Sequence, residues 1–164
     1  MKKNSAPNAN YVEQDYMQNL PGKTPFEEIF RIAASREGLD WELLSAHAFV
    51  ESTYNPKAHN PEGSSGLMQI YLPLERNKGA YKHFKDGNLP EWRDIDVRKI
   101  FDPKYNVGLA AALIRENLSE YGWPRCVAVY NNFHDTESNQ YGPFVSQGYV
   151  DKVLKRYNEL RGVK

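Results

Sequence analysis

Apolar positions fall at helical spacing through most of the chain. Phe26, Ile29, Phe30 and Ala33 follow Thr24-Pro25-Phe26-Glu27, which has capping-box form with proline at the first helical position. Gly38 stands where a left-handed C-terminal residue belongs, with Leu39 as its apolar partner, so a first helix is predicted from Thr24. Asp40 is placed to cap a second helix running to about Thr53. Residues 54–66 hold two Pro, two Gly and two Ser and predict a loop. Leu67 to Tyr71 predicts a short helical turn, and 72–100 a charged, irregular stretch with one or two short helices. Asp102-Pro103 opens a further helix with Val107, Ala110, Ala111, Ile114, Leu118 and Tyr121 on one stripe, ended by Gly122. Trp123-Pro124 predicts a short helix through Tyr130, and 131–142 a polar loop. A last helix is predicted over 143–160, with Tyr149, Val150, Val153, Leu154, Tyr157 and Leu160 inward. Sustained strand alternation is missing throughout. The predicted class is therefore mostly α, with at most a small β-hairpin, and residues 1–22 read as a polar, flexible N-terminal arm or linker.

One residue breaks the second helix's pattern. Helical residues advance about 100° each. Glu51 lies seven after Leu44, four after His47 and three after Ala48, so all four share a face. Leu44 and Ala48 call for burial, which turns Glu51 toward the core or a cleft beside it. Glu51 also lies near the helix C-terminus, where the dipole disfavours negative charge. Both effects favour the protonated form, and a carboxyl group that keeps its proton near neutrality can act as a general acid. The other reading is a structural ion pair with Lys57 or Arg125. His47, one turn earlier, either tunes the acid or is a packed, hydrogen-bonded histidine.

Composition narrows the classes. The chain's 164 residues fit one domain, predicted over 23–164. Lys plus Arg equals Asp plus Glu at 21 each, which argues weakly against a nucleic-acid-coating role. No stretch approaches the roughly 20 apolar residues of a membrane-spanning helix. The single cysteine, Cys126, excludes an internal disulfide and reads as a small buried hydrophobe. The four histidines, His47, His59, His83 and His134, lack metal-ligand spacing, so neither a metal nor a cofactor is expected. Eleven Tyr, seven Phe and three Trp suit a carbohydrate groove, though they suit an ordinary core better. The first residues have no apolar segment of signal-peptide type: either no signal exists, or the sequence is a mature fragment with an added Met.

The run from Glu51 through Ile70, "ESTYNPKAHNPEGSSGLMQI", resembles the signature of the soluble lytic transglycosylases, lysozyme-like enzymes that cleave peptidoglycan strands. The family pattern is an acid followed by Ser, an aromatic-Asn-Pro, a Ser-Gly loop and Gly-Leu-Met-Gln. "DPKYNVGLAAALI", "VAVYNN" and "GYVDKVLKRY" resemble its later motifs in the right order. The resemblance implies an α+β lysozyme-like domain with a substrate groove. It implies Glu51 as sole catalytic acid/base, cutting the β-1,4 bond between N-acetylmuramic acid and N-acetylglucosamine to leave a 1,6-anhydro end. By the same likeness Ser52, Asn60, Ser65, Gly66, Met68, Gln69, Tyr130 and Asn131 line the substrate site. Gln69 would bond the sugar's polar groups, Met68 would give an apolar wall, Tyr130 would reach Glu51 with its hydroxyl, and Asn131 would brace the next loop. Two positions depart from the pattern: Asn60 stands where many members have Ser, and Asn132-Phe133 replaces Ala-Gly. The implied partner is peptidoglycan, in the periplasm or the extracytoplasmic envelope, and a secretion or conjugation apparatus is a further candidate partner. Two rival readings are hydrolysis of the goose-lysozyme type, with Asp86, Asp94 or Asp135 activating water, and a non-catalytic glycan-binding or assembly module. In the polar loop, Asp135 and Glu137 read as solvated acids.

Overall fold

The computed structural model describes residues 24–71 and 97–163. The expected arm over 1–22 lies outside these residues, as do most of the stretch expected to be irregular and the residues His83, Asp86 and Asp94. Five α-helices occur among the described residues: α1 (Glu27–Glu37), α2 (Trp41–Ser52), α3 (Pro103–Tyr121), α4 (Arg125–Asn131) and α5 (Gln147–Leu160). A two-stranded antiparallel hairpin joins β1 (Ser64–Ser65) to β2 (Ile70–Tyr71), with Ser64 opposite Tyr71 and Ser65 opposite Ile70. Short 3-10 turns occupy Val97–Lys99 and Phe133–Glu137.

Helix ends follow the local chemistry, with informative differences. Gly38 takes φ 65° and its N–H bonds Ala34 C=O, the expected left-handed stop. Asp102 caps α3 by accepting from the Tyr105 N–H at 3.1 Å. The capping box expected at Thr24 does not form. Phe26 sits in the left-handed region, a turn joins Glu27 N–H to Thr24 C=O, and the Glu27 carboxylate pairs with Arg31 one turn on. Asp40 precedes α2 as expected but does not cap it with its side chain; its carboxylate accepts from the Tyr157 hydroxyl and ties α2 to α5. The expected starts at Trp123 and residue 143 move inward to Arg125 and Gln147, behind cis Trp123–Pro124 and Gly142–Pro143 peptides. The turn expected over Leu67–Tyr71 is split: 66–69 turn, and Ile70–Tyr71 form β2.

α2 packs against α1 and α5, while α3 packs against α1 and α4. α2 is the central element: Leu43 through Ala48 are all buried, so its middle is covered on every side rather than on the single face predicted. Phe30, Leu44, Leu67, Met68, Val107, Ile114, Val127, Val150 and Val153 fill the core. Each such side chain contributes on the order of 1.5–3 kcal/mol by leaving water. Cys126 is buried with them, and burial pushes its thiol up to about 11.

One polar side chain in that core anchors the hairpin. Asn106, fully buried on the first turn of α3, donates to Ser65 C=O and Ile100 C=O, each at 2.9 Å, and accepts from the Met68 N–H at 2.8 Å. Gly66 passes so close that a Cβ there would stand 2.3 Å from the Asn106 amide nitrogen, at φ +82°. Replacing Asn106 by Ala strands three buried backbone groups. The expected loss is about 3 kcal/mol or more of unfolding free energy, read as a lower denaturant midpoint with unchanged slope.

Candidate active site

Two left-handed residues end α2 abruptly: Thr53 at φ 52° and Tyr54 at φ 59°. Such conformations are costly for side-chain-bearing residues and persist where neighbours hold them. Here the Tyr54 hydroxyl meets Ser45 Oγ at 2.8 Å inside the core, and the Thr53 N–H bonds Phe49 C=O at 2.9 Å. The single Ser52 hydroxyl hydrogen lies between Leu67 C=O at 2.7 Å and Ala48 C=O at 3.1 Å, fastening the end of α2 to the turn before β2. Glu51 is thereby held on the last turn of α2, half-buried beside α5.

Tyr149, on the first turn of α5, donates its hydroxyl to Glu51 Oε1 at 2.6 Å. The same hydroxyl lies 2.8 Å from Nδ1 of His47, which is fully buried one turn earlier on α2. The Tyr130 ring packs on His47 with centroids 4.8 Å apart. Burial pushes the Glu51 carboxyl up to about 7, and the hydrogen bond from Tyr149 opposes that shift only in part. Burial drives His47 down to about 3, so its imidazole is neutral. Tyr149 and Tyr130 are held well above the usual phenol range, first by burial and then by the charge of Glu51. Among the described residues no lysine or arginine pairs with Glu51. Arg125, one candidate partner, donates to Ser138 C=O and Tyr121 C=O instead, and Lys57 is exposed.

Most of the remaining motif residues spend their polar groups on the chain itself. Tyr130 does not give its hydroxyl to the acid: it donates to Met68 C=O at 2.6 Å, and Tyr149 makes the contact expected of it. Met68 is not an exposed wall, because its side chain is 0% accessible and packs in the core. Ser52 is bonded to two carbonyls. Asn60 Oδ1 accepts from the Glu62 and Ser64 N–H groups and shapes the loop before β1. Ser65, buried, bonds its Oγ to His59 Nδ1 at 3.1 Å. Gln69, at φ 48°, donates both amide hydrogens, to Ala58 C=O and Gly66 C=O, which leaves its Oε1 as an acceptor. Asn131 is exposed, and the bracing expected of it falls to Asn132, whose Oδ1 accepts from the His134 N–H.

Asp135 is not the solvated acid expected. It is 0% accessible and accepts from Ser138 Oγ at 2.6 Å, Val145 N–H at 2.6 Å, and Ser146 through both N–H and Oγ. Burial alone would raise its pKa, but these donors outweigh burial and lower it. Glu137 is exposed, as expected. Among the described residues no cluster of three or more His, Cys, Asp or Glu could hold a metal ion, and no helix is long and apolar enough to cross a membrane.

Sequence reasoning gave Tyr149 no polar role, missed Asn106 as a buried anchor and misread Asp135 as solvated. Tyr149 was placed inward as an apolar residue, whereas a phenol on an inward stripe also brings a hydroxyl needing a partner. Asn106 lies beside Val107 at the buried start of α3, a polar residue where solvent cannot satisfy it.

The fold matches solved lytic transglycosylases. The 70-kDa soluble lytic transglycosylase from Escherichia coli superposes with a TM-score of 0.60 at 22% identity, covering 95% of this chain and 30% of that one. The transglycosylase SLT domain model matches residues 28–142, and the chain belongs to that family of lytic transglycosylases. The membrane-bound lytic murein transglycosylase F of Shewanella pealeana is 46% identical over 118 residues, covering 61% of this chain and 24% of that protein. The transglycosylase of Enterobacteria phage PRD1 is 26% identical over 143 residues, covering 87% of this chain and 47% of its own length. The chain thus spans less than half of each of these relatives.

The raised pKa of Glu51 links its charge to stability. Its folded value of about 7 exceeds the ordinary 4.5, so the native state holds the proton more tightly than the unfolded chain. Stability is therefore highest below pH 4.5 with respect to this group and falls as pH rises to about 7, by at most about 3 kcal/mol. Glu51→Gln removes this dependence. Its melting temperature should gain on that of the wild type as pH is raised from about 5 to about 8, checked by thermal denaturation across that range.

Proposed function

We propose that this chain carries the catalytic site of a peptidoglycan lytic transglycosylase, with Glu51 as its only acid/base. One observation carries the reading: the half-buried Glu51 carboxyl accepts from a neutral hydroxyl and, among the described residues, meets no cation, so burial pushes its pKa up to about 7. A group with that pKa is divided between its two forms near neutrality and can serve as acid and then as base.

In the first step Glu51 protonates the bridging oxygen of the bond between N-acetylmuramic acid and N-acetylglucosamine, and the C1–O bond breaks. Positive charge developing at C1 is met by the carboxylate just formed and by the sugar's own acetamide. The muramoyl C6 hydroxyl then attacks C1 and returns its proton to Glu51. The product is a 1,6-anhydro end, and no water is consumed. The nucleophile belongs to the same ring, so its effective concentration is high and no second carboxylate is needed. Asp135 supports this over hydrolysis, since both its oxygens are committed to the chain that leads into α5. The Oε1 of Gln69, which accepts no hydrogen bond among the described residues, suits an acetamide N–H or a hydroxyl of the glycan. Peptidoglycan is the substrate that fits, and the murein named for the relatives agrees with it. The site of action is then the periplasm or another extracytoplasmic part of the envelope.

Mass spectrometry of products released from purified sacculi tests the reading. Anhydro-muramoyl ends are expected. Reducing ends would replace transglycosylation by hydrolysis, and no soluble muropeptides would overturn catalysis altogether. Glu51→Gln should lower release by about 10²–10⁴-fold. Wild-type release should fall as pH rises above about 7, where Glu51 loses the proton it must donate.

A further inference from the structure

The Tyr149 hydroxyl stands between two groups on one face of α2, Glu51 Oε1 at 2.6 Å and His47 Nδ1 at 2.8 Å. A phenol has one hydrogen to donate and lone pairs that accept. An ionised carboxylate only accepts, so the Tyr149 hydrogen must point to Glu51 whenever that acid is charged. The contact with His47 is then a hydrogen bond only if Nδ1 carries the imidazole hydrogen. His47 is neutral and has a single ring hydrogen to place, which leaves Nε2 bare. Nε2 is buried without a hydrogen-bond partner among the described residues, and a hydrogen there would be an orphaned donor.

We propose that His47 is a positioning residue whose Nδ1–H holds the Tyr149 hydroxyl in its donating direction, so that Glu51 Oε1 is reserved as an acceptor and the acid's exchangeable hydrogen sits on Oε2. The arrangement rests on the role proposed above for Glu51 and adds a choice of oxygen to it. Without the imidazole donor, the Tyr149 hydroxyl could turn and accept from a protonated Glu51, which would divert the hydrogen meant for the glycan. His47 does not touch the reacting atoms and acts only through Tyr149. The groups facing Glu51 agree with a chain of this polarity. His47 comes from its own helix, Tyr149 from α5 and Tyr130 from α4, with the Tyr130 hydroxyl committed to Met68 C=O.

Nuclear magnetic resonance on the substrate-free protein tests this. In nitrogen spectra of the wild type, Nδ1 should carry the hydrogen and Nε2 should be bare, on both sides of the Glu51 titration. A hydrogen on Nε2 in either state overturns the proposal. The carboxyl carbon of Glu51 should titrate at about 7 in the wild type. His47→Leu weakens the Tyr149 donor, so the midpoint should rise by about 0.5–1 pH unit, the effect of one hydrogen bond. His47→Asn keeps a donor near the Nδ1 position and should stay near the wild-type midpoint. In a Tyr149→Phe background, His47→Leu should add no further shift. An unmoved midpoint in His47→Leu, or a full extra shift in that background, overturns the proposal. Should His47→Leu fail to fold, the wild-type nitrogen spectra still decide. None of these readings uses turnover, so a chain that does not cut peptidoglycan would refute the proposed function separately.

Discussion

The carboxamide of Asn106 is the contact on which the site's geometry depends. It satisfies two carbonyls and one N–H in a region closed to water, and in doing so sets the path of residues 65–68 against α3. The rest of the site is fastened to that path. Ser52 donates to Leu67 C=O from the residue beside Glu51, and Tyr130 donates to Met68 C=O from α4. The acid is thus positioned by backbone carbonyls of a short turn, which one buried amide keeps in place. Because an unpaired buried polar group costs more than a hydrogen bond gains, this set is satisfied as a whole or becomes a liability.

Most of the fold was legible from residue patterns because its helices bury one stripe and end at recognisable residues. Gly38, Asp102 and Gly122 stop or start helices where they were expected to, by backbone freedom or by an accepting side chain. The failures share a cause, in that local signals were overruled by distant partners. Asp40 precedes its helix but spends its carboxylate on Tyr157, 117 residues away. Glu27 turns from the expected capping box to Arg31. α2 showed one apolar face in the predicted pattern, yet Ser45 and His47 are buried too, because Tyr54 and Tyr149 supply their partners.

Within the candidate site, the inward placement of Glu51 was legible and most of its neighbours' contacts were not. A carboxyl group on an inward helical face near a helix end fits a buried ion pair as well as an acid, so the position of Glu51 was legible from spacing while its role came from the likeness of the motif that follows. Residues of the motif that follows were assigned to sugar contacts by likeness, whereas Ser52, Asn60 and Met68 shape the loop or fill the core. A motif shows that residues are needed together. It does not say whether a side chain faces the ligand or the backbone that holds the ligand's place. Tyr149 illustrates the converse, since its ring fits an apolar stripe and its hydroxyl performs the polar task.

Glu51 and Asp135 are both carboxyl groups withdrawn from water, and they come to opposite ends. Glu51 is offered one hydroxyl, so removal from water prevails and its charge is conditional. Asp135 is offered two hydroxyls and two amides, so its charge is permanent across the range in which Glu51 switches. The loop leading into α5 is organised around that constant anion, and α5 carries Tyr149. The molecule can therefore change protonation at Glu51 without loosening the support of the residue that holds it.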